Sequence, residues 1–406
     1  MIDELIKESE KSLEAQFACA EEIAYYNQSK VLDAFRRNKI ALRHFVPSTG
    51  YGYGDEGRDT LNTLFADIFG AESALVSPNI VSGTHALTVG LFGVLQAGDT
   101  LFSISGSPYD TLTEVISGKG IGSLADYGVR FKKCELSGGD FDFDKIAYGL
   151  KDESVKVVFI QRSRGYEWRD ALSEEKIARV TAFIRAQGFT GCIFVDNCYG
   201  EFVEKTEPTE NGADIAVGSL IKNAGGGIAT TGGYIVGKRE YIDRIAGRLT
   251  APSVGAEVGS YAFGYQYFYE GVFLAPHVVC QAIKGGLLIG ACLEKLGYTT
   301  SPAIDVPPYD ITRAIRFDTK EQLIGFIQAV QEASPVDSFV TLEPWDMPGY
   351  QEQVIMAAGT FVQGASIELS ADAPIKEPYI AYFQGGLTYE HCKYALKKIL
   401  SKLTKF

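Results

Sequence analysis

Two polar residues follow predicted buried strands closely enough to act on one ligand. Asp196 closes the apolar run 192–196, and Lys222 lies three residues beyond Ser219, just after the apolar run 215–218. Ligands of open parallel sheets bind beyond the carboxyl ends of the strands, so we expect both side chains at one edge. An amine in that place can form an imine with an aldehyde, and a carboxylate can keep a ring nitrogen protonated.

A helix start and an aromatic ring supply two further groups. The run 82–84 (Ser-Gly-Thr) opens a predicted helix, whose amides and hydroxyls are suited to a phosphate. Tyr109, in the stretch SGSPYDTL, offers a ring that can stack on a flat ligand. With Lys222 and Asp196, these groups meet the requirements of pyridoxal phosphate (PLP). Ordinary alternatives stay open at this point, namely a solvated lysine, a strand-end carboxylate and a simple helix cap.

The elements that must position these groups alternate along the chain. A helix at 59–69 precedes the first apolar run, and helical patterns at 82–96 and 173–187 separate later ones. The predicted strands are 74–77, 100–104, 156–161, 192–196 and 215–218. Continuous apolar strands between helices predict an α/β fold with a mostly parallel sheet covered on both faces.

Three parts are predicted from these patterns. Residues 1–48 form an N-terminal helical arm, residues 49–294 a large ligand-binding domain, and residues 295–406 a smaller α+β domain. In the last part, short strands are predicted at 314–317, 354–357 and 366–369, with helices at 320–333 and 388–403.

The composition excludes several classes of protein. The 406 residues include 38 Lys and Arg against 51 Asp and Glu, a net charge of −13, without a basic cluster that would bind nucleic acid. Seven cysteines without CxxC pairs predict reduced, mostly buried thiols, and four histidines without ligand spacing predict no metal site. The N-terminus does not resemble a signal peptide, and the Gly-broken apolar stretches are expected to fall short of a membrane span. We therefore expect a cytoplasmic protein that contacts neither nucleic acid nor membrane.

Several stretches resemble a known family. The strings VDNCYGE at 195–201 and GSLIKNAG at 218–225 resemble the cofactor core of fold-type I PLP enzymes. The most similar group is that of the cystathionine lyases and methionine γ-lyases. Within it, GYGYGDEGRDTL, VSPNIVSGTHAL, QRSRGYEWR and YFQGGLTYEH resemble a branch described as carbon–sulfur lyases involved in aluminium resistance. The resemblance implies the aminotransferase-like fold, with a mostly parallel seven-stranded sheet and a smaller α+β C-terminal domain.

The resemblance also implies roles for individual residues. Lys222 would carry PLP as a covalent imine, Asp196 would face the pyridine nitrogen, and Tyr109 would stack on the ring and assist catalysis. In this family, a loop bearing Tyr and Arg reaches the phosphate held by the neighbouring subunit. The implied cofactor-binding residues are Lys222, Asp196, Ser82, Gly83, Thr84, Tyr109, Ser219, Tyr53 and Arg58.

The activity that the resemblance implies is β- or γ-elimination on a sulfur-containing amino acid of the cystathionine or methionine kind. Its partners would be a small amino-acid substrate and further copies of the chain, as a homodimer or homotetramer. The arginine that binds the substrate carboxylate in the family has no clear match, and Lys376, Arg162 and Arg164 are the candidates to replace it. Two alternatives therefore stay open: a PLP enzyme of another class (aldolase, racemase or aminotransferase) and a non-catalytic PLP-binding stress protein.

Overall fold

Alternating strands and helices are found along most of the chain, which the computed structural model describes for residues 2–347 and 352–403. The α-helices within these ranges are α1 (Ile2–Ser12), α2 (Glu14–Arg37), α3 (Glu56–Ile68), α4 (Gly83–Val94), α5 (Asp110–Ser117), α6 (Phe143–Gly149), α7 (Glu174–Ala186), α8 (Arg239–Leu249), α9 (Gln266–Lys295), α10 (Lys320–Glu332) and α11 (Tyr389–Leu403). The strands are β1 (Ser73–Ser77), β2 (Thr100–Ser103), β3 (Arg130–Lys133), β4 (Val155–Gln161), β5 (Cys192–Asp196), β6 (Ile215–Ser219), β7 (Gly233–Gly237), β8 (Thr299–Ser301), β9 (Thr312–Phe317), β10 (Val354–Ala357), β11 (Ser370–Pro374) and β12 (Tyr379–Gln384).

The larger sheet has seven strands in the order β1-β7-β6-β5-β4-β2-β3. Pairing is parallel from β3 through β6, and β7 runs antiparallel to both β6 and β1. The predicted α/β fold with a mostly parallel seven-stranded sheet is confirmed. The edge strand β3 was not predicted, because its sequence RFKK has an exposed residue at each end and no apolar run.

Both faces of this sheet are covered, as the continuous apolar strands predicted. On β5, Phe194 packs with residues of α4 and α8, whereas Ile193 and Val195 pack with residues of α6 and α7. This alternation follows from the two-residue period of a strand. Because β4, β5 and β6 are parallel, their carboxyl ends bring Gln161, Asp196 and Ser219 to one edge.

The second sheet has five antiparallel strands in the order β10-β11-β12-β9-β8, packed against α10. The predicted strand at 366–369 is wrong: this segment forms turns, and the strand begins at Ser370. Glu368 explains the difference, because its carboxylate accepts hydrogen bonds from the backbone N–H groups of Phe361 and Val362 and so closes a loop. The domain boundaries after residues 48 and 294 stay predictions.

The helix α9 corrects another expectation. It runs unbroken for 30 residues, and by length and composition alone it is long and apolar enough to cross a membrane. The sequence analysis expected every apolar stretch to be too short, because glycines interrupt the longest ones. Of its most apolar window, 72% is buried inside the protein, against α2, α11 and neighbouring elements, as in the core helix of a globular domain.

All seven cysteines are free thiols. Six of them are buried, and Cys19 on α2 is exposed. The predicted reduced, mostly buried thiols are thus found in the structure.

Candidate functional site

A cavity of about 310 Å³ lies at the carboxyl ends of β4, β5 and β6 and is closed on its far side by the five-stranded sheet. We call it the lysine pocket. The predicted site residues that line it are Ser82, Gly83, Thr84, Tyr109, Asp196, Ser219 and Lys222. The structure thus brings together seven of the nine residues that the sequence analysis predicted to bind the cofactor.

Lys222 lies in the turn that follows β6. Its ammonium is 4.1 Å from the centroid of the Tyr199 ring, a cation–π contact, and makes no hydrogen bond or ion pair with the described residues. The next residue, Asn223, donates hydrogen bonds to the backbone oxygens of Tyr199 and Glu201 and so fixes the turn. A Cβ at Gly225 would clash with Leu220 O, so the turn requires glycine there. The backbone at Lys222 is therefore fixed at the pocket wall, and the amine has no hydrogen-bond partner among the described residues.

Asp196 is 4% exposed at the end of β5. One oxygen accepts a hydrogen bond of 3.1 Å from the backbone N–H of Cys198. Burial raises the pKa of Asp196, and the nearby Lys222 charge acts against that rise. A buried carboxylate with one backbone donor and a cation nearby is suited to hold a protonated ring nitrogen.

The N-terminus of α4 forms the opposite end of the pocket. Ser82 is the N-cap, and its Oγ accepts a hydrogen bond of 3.0 Å from the backbone N–H of His85. A Cβ at Gly83 would lie 3.3 Å from the Ser219 Cβ, so glycine lets the helix start approach the end of β6 closely. Backbone amides and three hydroxyl side chains therefore face one space, as a phosphate site requires.

Tyr109 contacts both the start of α4 and the end of β4. Its hydroxyl is 2.9 Å from Thr84 Oγ1, and its backbone N–H donates a hydrogen bond of 2.9 Å to Gln161 Oε1. Burial, followed by the negative charge of Asp196, raises the pKa of Tyr109 well above its ordinary value. The phenol therefore keeps its proton at neutral pH and can donate it.

Two predicted residues lie outside the pocket of their own chain. Tyr53 is 68% exposed, and its ring stands 5.6 Å from that of Tyr51. The Arg58 guanidinium is buried in its own loop, where it pairs with Asp59 at 2.8 Å and donates to Gly52 O at 2.9 Å. The role of this loop at the site of a neighbouring subunit stays a prediction.

The three candidates for binding the substrate carboxylate do not line the pocket. Lys376 is exposed on the surface. Arg162 is fully buried and pairs with Glu174 at 2.8 Å and Glu204 at 2.7 Å. Arg164 is also buried; its Nη1 donates to the backbone and side-chain oxygens of Ser301, while Nε and Nη2 have no hydrogen-bond partner within the described chain.

The sequence analysis missed several residues of the pocket wall. Tyr199, beneath Lys222, was visible three residues after Asp196 in the string VDNCYGE, and Gln161 closes a predicted strand. Asp372, Tyr382 and Gln384 come from β11 and β12. No local motif marks these three, because only the packing of one sheet over the other brings them to the pocket.

The pocket fits PLP by the observations above: its wall carries a half-buried amine without a hydrogen-bond partner among the described residues, a buried carboxylate, a helix start and a tyrosine. A family model described as methionine gamma-lyase matches residues 2–404. The chain belongs to the methionine gamma-lyase family. The L-methionine gamma-lyase of Pseudomonas putida is 26% identical over 197 residues, which are 48% of this chain and 45% of that enzyme.

Other relatives are more similar to this chain. The uncharacterized protein YnbB of Bacillus subtilis (strain 168) is 47% identical over 408 residues, covering 98% of this chain and 97% of YnbB. A solved structure from Clostridium acetobutylicum, whose description pairs cystathionine beta-lyase with aluminum resistance, is 50% identical with a TM-score of 0.97 and covers 99% of this chain and 95% of its own. A carbon-sulfur lyase involved in aluminum resistance from Clostridium novyi NT is 45% identical with a TM-score of 0.95. The match covers 99% of this chain and 96% of that structure's chain.

A more distant structure supports the fold assignment alone. YhfS of Escherichia coli, described as a pyridoxal-5'-phosphate dependent protein, has a TM-score of 0.64 at 16% identity and covers 94% of this chain and 96% of its own. The fold is therefore that of fold-type I PLP enzymes.

Proposed function

We propose that this protein is a PLP-dependent carbon–sulfur lyase that performs β- or γ-elimination on a sulfur-containing amino acid. The observation that carries the proposal is the Lys222 amine, which lies half-buried on the pocket wall without a hydrogen-bond partner among the described residues, in one pocket with Asp196 and the start of α4. Lys222, Asp196, Tyr109, Ser219 and the run 82–84 would hold the cofactor. When bound, PLP supplies an electron sink for the bonds at the substrate α-carbon.

The chain's own groups account for the proton movements. The Lys222 amine, free of competing hydrogen bonds, takes the proton from the substrate α-carbon. The carboxylate of Asp196 holds the proton on the ring nitrogen through a charge-assisted hydrogen bond. The phenol of Tyr109, which stays neutral at physiological pH, gives a proton to the departing sulfur. With one water, β-elimination then yields a thiol, a 2-oxo acid and ammonia.

One observation supports other PLP reaction classes as an alternative. The pocket wall includes no arginine among the described residues, so the usual anchor for a substrate carboxylate is missing from it. An aldolase, racemase or aminotransferase on the same scaffold would share the lysine pocket. Screening amino acids for released thiol, released aldehyde, inverted α-carbon and transferred amine separates these classes. Bound cofactor without turnover of any of them would instead support a non-catalytic PLP-binding protein.

We also propose that the site is shared between subunits of a cytoplasmic homo-oligomer. The exposed loop that carries Tyr53 and Arg58 supports this arrangement, because its tyrosines are exposed and do not line the pocket of their own chain. Mixing Lys222→Ala and Arg58→Ala proteins after reversible dissociation tests it. If the site is shared, hybrid oligomers contain some intact sites and regain activity that neither variant has; no regain would rule the arrangement out.

The decisive experiment is chemical trapping of the cofactor. The purified protein, supplied with PLP, is reduced with borohydride, and the modified peptide is mapped by mass spectrometry. A pyridoxyl group on Lys222 supports the proposal, and the amino-acid screen then identifies the reaction. No adduct, or an adduct on another lysine, would overturn it.

A further inference from the structure

Tyr199 contacts the amine on which the proposed function depends, but it takes no part in the proposed proton movements. The Lys222 nitrogen is 4.1 Å from the centroid of the Tyr199 ring, which lies half-buried on the wall of the lysine pocket. Burial raises the pKa of Tyr199, although the charge of Lys222 acts against that rise, so the ring is a neutral phenol at neutral pH. The contact is therefore a cation–π interaction and not an ion pair.

The backbone of Tyr199 is strained. Its φ angle is 73°, in the left-handed region that a bulky residue rarely occupies. Its carbonyl oxygen accepts two hydrogen bonds, one of 3.0 Å from Asn223 Nδ2 and one of 3.3 Å from the backbone N–H of Ile311. Strain of this kind persists only where the surrounding structure fixes it, and it is concentrated at active sites. Because Asn223 directly follows Lys222, the first of these bonds fixes the Tyr199 backbone relative to that of the lysine.

The hydroxyl of Tyr199 joins the ring to a distant part of the chain. It lies 3.2 Å from Ser366 Oγ, a hydrogen bond in which either oxygen can be the donor. Ser366 belongs to the loop that the Glu368 carboxylate closes, and Gly364 of the same loop lines the lysine pocket. Tyr199 is therefore held at both ends, by the turn after β6 at its carbonyl group and by this loop at its hydroxyl.

We infer that Tyr199 is a positioning residue, which holds the Lys222 amine over its ring and ties the place of that amine to the loop that carries Ser366. The inference deepens the proposed function and rests on it, because it concerns the base of the same reaction. The face of an aromatic ring attracts a cation, and Lys222 becomes a cation when it takes the proton from the substrate α-carbon. The ring therefore stabilises the protonated amine that this step produces.

The pKa of Lys222 in the cofactor-free protein is the most direct measure of this contact. Labelling with acetic anhydride at several pH values, followed by mass spectrometry of the peptide that contains Lys222, gives that pKa. Tyr199→Leu keeps an apolar side chain but removes the ring. The cation then loses its stabilisation, so the pKa of Lys222 should fall by about one pH unit. The titratable groups around the amine that this variant leaves in place are Asp196, Cys198, Glu201, Tyr109 and Asp372.

Phe202→Leu is the matched control for strain and for lost aromatic volume. Phe202 is 1% exposed and has a left-handed φ of 62°, but its ring packs against Phe69 and does not line the lysine pocket. The control should lower the thermal midpoint without changing the pKa of Lys222. An unchanged Lys222 pKa in Tyr199→Leu, or an equal fall in Phe202→Leu, would overturn the inference.

Kinetics of the PLP-loaded enzyme separate positioning from substrate binding. In Tyr199→Leu, kcat for exchange of the substrate α-hydrogen with solvent should fall about 10-fold while KM stays within about twofold, because the ring acts on the base and not on the substrate. A raised KM with unchanged kcat would instead place Tyr199 in substrate binding and contradict the inference.

Two further variants test the tether to the loop. Tyr199→Phe and Ser366→Ala each remove the hydrogen bond but keep the ring, and each should lower kcat about threefold. The double variant should lose no more than either single variant, because both changes remove the same hydrogen bond. Losses that multiply in the double variant would exclude the tether.

The pKa measurement also keeps this inference apart from the proposed function, since it needs neither cofactor nor substrate. A lower Lys222 pKa in Tyr199→Leu, without thiol release from any substrate by the wild type, would overturn the lyase assignment and leave the contact between Tyr199 and the amine standing. Thiol release by the wild type, with the same Lys222 pKa in both proteins, would do the reverse.

Discussion

Two neighbouring regions of the large sheet bury charge in opposite ways. One is the lysine pocket, and the other is what we call the arginine cluster, formed by Arg162, Glu174, Glu204, Asn197 and Glu207. In the cluster, every nitrogen of the Arg162 guanidinium has an acceptor, and Asn197 passes a hydrogen bond of 2.8 Å on to Glu207. In the pocket, the Lys222 amine has no such acceptor within the described structure.

Adjacent residues at the carboxyl ends of β4 and β5 face the two different regions. Gln161 and Asp196 face the pocket, whereas the following residues, Arg162 and Asn197, face the cluster. Buried charges that are fully paired hold a fold in one arrangement, while unpaired ones cost stability and await a ligand. The comparison therefore teaches that the structural cation, Arg162, has an acceptor for every guanidinium nitrogen, whereas the proposed catalytic cation, Lys222, has none among the described residues.

The largest expected effect is that of Lys222→Ala. Without the amine, both the covalent attachment and the proton acceptor are lost, so the rate of thiol release should fall by at least about 10³-fold. The thermal midpoint of the cofactor-free protein should fall only slightly, because the amine makes no hydrogen bond in the described structure and loses one cation–π contact, with Tyr199. A large fall in that midpoint would show that Lys222 stabilises the fold, and would contradict the contrast drawn between Lys222 and Arg162.

Next in size is Arg162→Met, which leaves the buried Glu174 and the half-buried Glu204 without their cation. We expect the free energy of unfolding to fall by about 3–5 kcal/mol, measured by urea denaturation. The matched control is Arg164→Met, which removes a buried guanidinium that has no carboxylate partner in direct contact. Its cost should be clearly smaller; an equal cost would show that pairing does not decide the structural weight of these residues.

Asp196→Ala should have an intermediate effect on function. Loss of one charge-assisted hydrogen bond should weaken PLP binding and slow α-proton removal, each by about 10- to 100-fold. Spectroscopic titration of the cofactor and exchange of the α-hydrogen with solvent measure the two effects separately. Unchanged values for both would exclude the proposed role at the ring nitrogen.

The last effect depends on pH and concerns Glu201, which interacts electrostatically with Glu207 of the arginine cluster and with Lys222 of the pocket. Its Oε1 accepts a hydrogen bond of 2.8 Å from Tyr234, its Oε2 has no partner in the described chain, and burial raises its pKa to about 8. Because this pKa is above its value in the unfolded chain, the folded protein takes up a proton, and wild-type stability falls as pH rises from about 4.5 to 8.

Glu201→Gln should remove that dependence. The free energy of unfolding of the variant, relative to that of the wild type, should rise by about 1 kcal/mol per pH unit between pH 4.5 and 8. This difference should level off above pH 8. Thermal or urea midpoints of both proteins at several pH values measure it. Parallel curves for the two proteins would show that Glu201 is ionised in the fold and belongs with the paired cluster.

Sequence patterns predicted the parts of the site that depend on chain neighbours. Asp196 ends a strand, Lys222 follows one, and Ser82 caps a helix, so the local sequence places each of them at one edge of the sheet. Their shared pocket follows from the parallel order of β4, β5 and β6, which continuous apolar runs indicate.

The rest depends on contacts between distant segments. Asp372 and Gln384 reach the pocket only because the antiparallel sheet packs over it, and β11 itself was displaced from the predicted 366–369. Arg162 and Arg164 look equivalent in the string QRSRGYEWR. Their difference arises from partners far along the chain, Glu204 for one and Ser301 for the other.

The single exposed thiol has a practical consequence. Because six cysteines are buried and Cys19 on α2 is exposed, a thiol-reactive dye should label the native protein once and the unfolded protein seven times. The protein thus carries its own reporter of unfolding, readable by counting labels in a mass spectrum. The same reaction provides one defined attachment point, on the N-terminal helices, for a fluorophore or a surface tether.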